Sequence, residues 1–189
     1  MAPFLFGFLL LIVLLLLFYW KGRIVRRSVA ELFEELKTEL GLENAVIKRI
    51  PTPTLSGKYF GYPFFLVGKG YHFSGTIELP HPLSERIFIQ HEDLKTKLKP
   101  ILGLKLVLLP DENLHRHFLL LGTSTKELET VFQPYLCQKL LLLKDVLFRI
   151  DIHDAEAHLE IWHQEDHSLA DFFKILIEIL NVLQVRFTR

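Results

Sequence analysis

From Phe4 to Trp20 the chain carries no charged side chain, and almost every position is Leu, Phe, Ile or Val. The run ends at a basic cluster of Lys21, Arg23, Arg26 and Arg27. As a helix rising 1.5 Å per residue it would span roughly 25 Å, near the lower limit for crossing a hydrocarbon core. Tyr19 and Trp20 stand where an interfacial aromatic belt belongs. A cleaved signal peptide would show a basic stretch before the run and a small-x-small site after it, and this run shows neither. The expectation is therefore an uncleaved anchor over residues 1–27. The four cations all follow the run, so the positive-inside rule predicts a single pass through the inner membrane with the N-terminus out. Residues 28–189 would then form a cytoplasmic domain.

After the anchor the pattern becomes helical. Ser28-Val29-Ala30-Glu31 reads as a capping box, Val29, Leu32, Phe33, Leu36 and Leu40 repeat at helical spacing, and Gly41 supplies a stop. A strand-rich half follows. Ala45–Ile50 is a short β-branched run, and Pro51–Ser56 reads as a loop. Tyr59–Val67 and Tyr71–Leu79 read as a hairpin about Gly68-Lys69-Gly70. Arg86–Gln90, Leu104–Leu109 and Phe118–Leu121 are further strand candidates, with a polar, helix-like stretch around Leu94–Leu98.

Helical spacing then returns. Ser124 and Glu127 form a second capping box ahead of Leu128, Val131, Phe132, Tyr135, Leu136, Leu140 and Leu143, and Pro134 should kink or divide that helix. Val146–His153 and His158–His163 predict a hairpin closed by Asp154–Ala157. Ser168 and Asp171 cap a last helix carrying Leu169, Phe172, Phe173, Leu176, Ile177, Leu180 and Leu183. Asp171, Lys174, Glu178 and Asn181 argue against its being a second span. It also carries Ile175, Ile179 and Val182, so it is apolar nearly all round, and a second contact, to another chain or to the anchor region, would bury the extra side. The order predicts an α+β fold, with an N-terminal transmembrane helix followed by a two-layer sandwich of mostly antiparallel sheet and helices on one face. The anchor, its basic flank and this order of elements resemble those of single-span bacterial membrane proteins with one small cytoplasmic domain.

Composition narrows the function classes. The chain has 22 basic and 22 acidic residues, four of the basic ones precede Ser28, and no acidic one does, so the domain is mildly acidic. That charge excludes an electrostatic footprint for nucleic acid. Cys137 is the single cysteine, which rules out an internal disulfide and suits a reducing compartment. Its apolar helical setting makes it a core thiol.

Nine histidines raise the question of a metal. His115 and His117 would share a face if they lay on a strand. The stronger cluster is the late hairpin. With a four-residue loop, His153 faces His158, Asp151 faces Glu160 and Arg149 faces Trp162, all on one side, while Phe148, Ile150, Ile152, Leu159 and Ile161 take the other. Asp151, His153, His158 and Glu160 have the atom types for zinc or manganese. The plainer expectation is a solvated polar face in which Arg149 offsets the carboxylates. Gly57, Gly61, Gly68, Gly70 and Gly75 are not at strand-to-helix junctions, so they do not read as a phosphate cradle, and no Walker A, G-x-S-x-G or H-E-x-x-H string occurs. No catalytic residue and no cofactor is expected.

Two functions fit. One is a non-catalytic interaction or accessory domain, tethered through Phe4–Trp20 and binding a protein partner or a second copy of itself. The alternative is a small membrane-bound metal protein or enzyme built on the histidine and carboxylate hairpin.

Overall fold

The computed structural model describes residues 12, 14, 28–97, 103–109, 111–162 and 168–188. The expected anchor and basic flank lie outside these residues, apart from Ile12 and Leu14, which are helical and exposed. Among the described residues no helix is long and apolar enough to cross a membrane.

The first helix, α1, covers residues 28–40 and buries Val29, Phe33, Leu36 and Leu40, the helical repeat seen in the sequence. Gly41 ends it with φ +59°. Strands β1 (Glu43–Lys48), β2 (Thr54–Tyr59), β3 (Tyr62–Lys69) and β4 (His72–Glu78) follow as an antiparallel meander. Here the structure corrects two expectations. The Pro51–Ser56 loop already contains the start of β2, and the expected strand Tyr59–Val67 is broken by a tight turn at Phe60-Gly61. Both turn residues have positive φ, 48° and 83°, as the right-handed twist of a two-residue hairpin demands. The β3–β4 turn is Gly70-Tyr71, closed by the pair Lys69 and His72.

Next come β5 (Ile87–His91), a 3₁₀ turn (Glu92–Lys97), β6 (Lys105–Leu106), α2 (Glu112–His117) and β7 (Phe118–Gly122). The expected Leu104–Leu109 strand shrinks to two residues of edge pairing with β7. Pro134 divides the expected long helix into α3 (Thr125–Val131) and α4 (Pro134–Leu141), entering α4 in its first turn, where its missing N–H costs nothing. Ser124 stands at the start of α3, yet its side chain makes no capping bond. The hairpin β8 (Leu147–His153) and β9 (Glu156–Trp162) leads to α5 (Leu169–Phe187), where the Ser168 hydroxyl accepts from the Asp171 amide at 3.2 Å as expected.

The fold is α+β, built on one open nine-stranded antiparallel sheet in the order β1-β2-β3-β4-β9-β8-β5-β7-β6. The late hairpin β8–β9 is inserted between β4 and β5 and joins the two halves of the sheet. Helices α1 and α5 pack on one face. Ring centroids of Phe33 and Phe73 are 5.7 Å apart, those of Phe64 and Phe173 5.8 Å, and those of Phe148 and Phe172 5.3 Å. The additional apolar side chains of α5 do not form an outward patch. Ile179 is 1% exposed and belongs to the main core, with Ile175 and Val182 packed partly against it. Only Val185 on that helix stands fully in solvent among the large apolar residues. Helix α4 lies along this side, with Tyr135 and Lys139 bonded to Glu178, so the buried Ile179 is no handle for self-association.

Two polar groups tie the helix layer down. The Tyr62 hydroxyl donates to Asn181 Oδ1 at 2.7 Å, and Gln184 accepts from the His81 amide at 3.2 Å while donating to its carbonyl at 2.7 Å. Burial pushes the Tyr62 phenol above its ordinary value.

Truncating Phe173 to Ala should lower stability by roughly 3–5 kcal/mol, the usual cost of emptying a buried aromatic site. Ile179→Glu should fail to fold rather than merely lose association, as circular dichroism would show. Gly75→Ala should cost about 1–3 kcal/mol, because a Cβ there would strike the Phe65 carbonyl and the Leu66 side chain. Tyr62→Phe should cost about 1 kcal/mol near neutrality through the lost hydrogen bond. A raised folded pKa means that the phenol's contribution is intact below pH 10.0, the ordinary value, and is lost as pH rises beyond it. Melting curves at alkaline pH should therefore fall more steeply for the native chain than for Tyr62→Phe.

Candidate interaction face

Side chains alternate across a sheet, so the residues that do not meet α1 and α5 form a second face. The strand registers trace one row over its full width: Val46, Ser56, Phe65, Thr76, His158, Asp151, Phe88, Leu121 and Leu106. The adjacent row reads Lys48, Thr54, Val67, Ser74, Glu160, Arg149, Gln90 and Leu119. The first row is apolar toward both ends and polar in the middle, and the second is polar from Lys48 to Gln90 apart from Val67 and ends on Leu119. Val46 and Phe65 are 51% and 45% exposed at one end, and Leu106 is 51% exposed at the other. Near the second end the face is covered, since all five positions of β5 are buried, including Phe88 and Gln90.

The polar middle comes from the β8–β9 hairpin, and its register corrects the expected one. The loop is two residues long, Asp154-Ala155, with Asp154 at φ 51°. His153 therefore pairs with Glu156, Asp151 with His158, Arg149 with Glu160 and Leu147 with Trp162. The six side chains named from the sequence do share one face, as the alternation demanded. Their pairing is displaced by two residues, so the carboxylates are not opposed. Alternation separates even from odd positions and is blind to a shift of two.

The new pairing matches charges. Arg149 Nη1 lies 2.9 Å from Glu160 Oε2, and its Nε donates to Gln90 Oε1 at 3.1 Å. Arg86, at the entry to β5, grips Asp151 through both oxygens, at 3.0 and 2.6 Å. That hydrogen bond raises the Arg86 guanidinium above its ordinary value against the opposing effect of burial. His158 Nε2 is 3.2 Å from Glu156 Oε2, His153 Nδ1 is 3.9 Å from Asp154 Oδ2, and the two imidazole rings lie 5.0 Å apart. Among the described residues no three His, Cys, Asp or Glu side chains stand together as metal ligands. Gln90 Nε2 is buried without a hydrogen bond, held in place by what its own carbonyl accepts from Arg149. Sequence reasoning missed Arg86. It comes from a strand distant in sequence, and only the strand order brings it to Asp151.

The other expected sites are dispersed. His115 and His117 lie on α2, not on a strand, so two residues of helical rotation send them to opposite sides. His115 Nε2 is bonded to the Leu109 carbonyl at 2.8 Å. Cys137 is buried, its thiol donates to the Phe132 carbonyl at 3.1 Å, and burial raises its pKa, as befits a core thiol. Among the aromatic residues between Tyr59 and Phe65, Tyr62 and Phe64 are core, Phe60 is an exposed turn residue and Phe65 looks out from the second face. Beside Phe65 lies a shallow groove of 320 Å³ lined by Ser56, Lys58, Pro63, Thr76 and Glu78.

Zinc or manganese added to the solubilised full chain should leave its Tm unchanged, because Arg86 and Arg149 occupy the carboxylates. A site that binds only the folded state must stabilise it, by about 2.7 kcal/mol at a hundredfold excess over Kd. A rise in Tm, lost on replacing Asp151 and His158 together, would establish the metal reading instead. Removing Arg149 as Met should cost about 1 kcal/mol or less for the half-exposed ion pair.

Neither the protein-family models nor the curated proteins include a match to this chain. Among solved structures it is similar to the crystal structure of the mycobacterial trehalose monomycolate transport factor A, TtfA. The two superpose with a TM-score of 0.60 at 7% sequence identity, covering 84% of this chain and 97% of that one. At that identity the likeness is one of fold.

Proposed function

We propose that this chain is a non-catalytic accessory protein of a bacterial inner membrane, tethered through Phe4–Trp20, whose sheet face binds a protein partner on the cytoplasmic side. The observation that carries this reading is the second face itself. It spans the sheet, its central charges are matched by Arg86 and Arg149, and Val46 and Phe65 remain exposed beside the groove at one end. Matched charges with exposed apolar flanks suit contact with another surface better than catalysis, which draws on unpaired, perturbed groups. A fold shared with a transport factor agrees with an accessory role, and the uncharged N-terminal run with its basic flank supports the tether.

The test has two arms. Alkaline carbonate should leave the full chain in the membrane pellet, and protease added to sealed right-side-out spheroplasts should spare the domain. Digestion there would overturn the orientation. In the second arm, a photo-crosslinking residue at Phe65 should give one discrete protein adduct in cells, and the same residue at Val185, exposed on α5, should give none. Equal adducts at both positions, or none at Phe65, would reject the sheet face as the contact surface.

A further inference from the structure

The end of the sheet at which residue 28 enters has a distinctive surface. Val29, in the first turn of α1, is buried against Gly68, where any side chain would collide with it. Around this contact the Pro51–Pro53 loop and the Gly68–Gly70 turn line a groove of 290 Å³, and the Gly68 amide donates to the Pro53 carbonyl at 3.0 Å. The β1–β2 loop and the β3–β4 turn therefore form one rim beside the start of α1. Two large apolar side chains stand out of it, Ile50 at 80% and Tyr71 at 65% exposure. Lys48, Arg49 and Lys69 flank them and are exposed. Glu34 lies 3.6 Å from Arg49, and the Arg49 side chain nonetheless remains 69% exposed. The acidic side chains at this end are Glu31 on α1 and, on the far side beside Lys144, Glu92, Asp93 and Asp145.

Chain length constrains where this rim sits. Residues 21–27 separate Trp20 from Ser28, a reach of about 30 Å even when fully extended, and four of them are cationic. Given the tether proposed above, on which this inference rests, the rim cannot stray far from the lipid headgroups. An exposed tyrosine and isoleucine among lysine and arginine have the chemistry of an interfacial contact, with the ring at headgroup level and the cations on anionic lipid.

We propose that Ile50 and Tyr71, with Lys48, Arg49 and Lys69, form a second membrane contact that seats the folded domain on the anionic surface of the bilayer. The contact fixes orientation. It holds the strands upright on the membrane and turns the sheet face sideways into the cytoplasm, where a partner reaches it. The opposite end of the sheet supplies a built-in control. Phe60 is 76% exposed there, at the far end of β3 and roughly 25 Å away along the strands.

The full chain, reconstituted into phosphatidylcholine vesicles with and without phosphatidylglycerol, tests this. An environment-sensitive fluorophore is placed on Tyr71→Cys or Phe60→Cys, and a lipid with a nitroxide headgroup serves as quencher. Cys137 is buried, and the unsubstituted chain is the blank. The expected result is quenching several-fold stronger at position 71 than at position 60, reduced by omitting phosphatidylglycerol or by replacing Arg49 and Lys69 together with Glu. Equal quenching at both positions in a chain that floats with the vesicles would overturn the membrane contact and leave the tether standing. A chain that does not float would overturn both.

Discussion

A line of phenylalanine rings runs through the core from β7 to β3. Phe118 meets Phe148 at 5.7 Å, Phe148 meets Phe172 at 5.3 Å, Phe172 meets Phe173 at 5.7 Å, and Phe173 meets Phe64 at 5.8 Å. These contacts hold α5 across both halves of the sheet. The halves are joined by the short segment 79–86, yet β4 and β5 do not pair with each other. β1 to β4 pair through short hairpins, and β5, β6 and β7 pair among themselves. Among the described residues, β9 on β4 and β8 on β5 bridge them, and those pairings join distant parts of the chain. Closing such long loops costs conformational entropy, which the aromatic burial along α5 must offset. The C-terminal hairpin and helix thus act together, the hairpin as the middle of the sheet and the helix as the bar laid across it.

That division explains what could be read from the sequence. The helices announced themselves through local signals. Val29, Phe33, Leu36 and Leu40 repeat at helical spacing, Ser168 caps α5, and Pro134 falls at a first turn. The core face of β8–β9 was equally plain from Phe148, Ile150, Ile152, Leu159 and Ile161. What failed were features without a local signature. Thr54–Tyr59 has a single apolar core position, Leu55, so β2 resembled a loop. Phe60-Gly61 turns the chain in a place where an Asn-Gly pair would have been recognised. The α5 positions Ile175, Ile179 and Val182 suggested a second interface, because the packing that buries Ile179 joins α5 to elements distant in sequence, α4 among them.

The candidate site was legible in part for the same reason. Alternation put Arg149, Asp151, His153, His158, Glu160 and Trp162 on one face, and the structure keeps them there. It could not fix the loop length, and one two-residue shift turns opposed carboxylates into the pairs Arg149 with Glu160 and Asp151 with His158. Arg86 then completes the neutralisation from β5. A cation entering this face would have to displace two guanidinium groups from their carboxylates, one of them held bidentate. Ion pairs that are half in solvent contribute little to stability. Their consequence here is chemical. Every strong charge in the centre of the face already has a partner, so a ligand gains little from electrostatics there and more from the apolar flank.

The two ends of the strands divide the labour in a way the composition alone conceals. The domain as a whole is mildly acidic, which would repel an anionic membrane, yet Lys48, Arg49 and Lys69 lie at the end where α1 begins. Screening confines charge effects to about a Debye length, roughly 8–10 Å at physiological salt. A membrane therefore senses the rim nearest to it and not the net charge of the domain. Under the proposed membrane contact, a cationic rim on an acidic body would orient the body, with the rim drawn to the headgroups and the rest held off. In the proposed orientation the sheet face, perpendicular to that rim, is open to a partner over its β1–β3 flank and polar middle, while its β5 end stays covered.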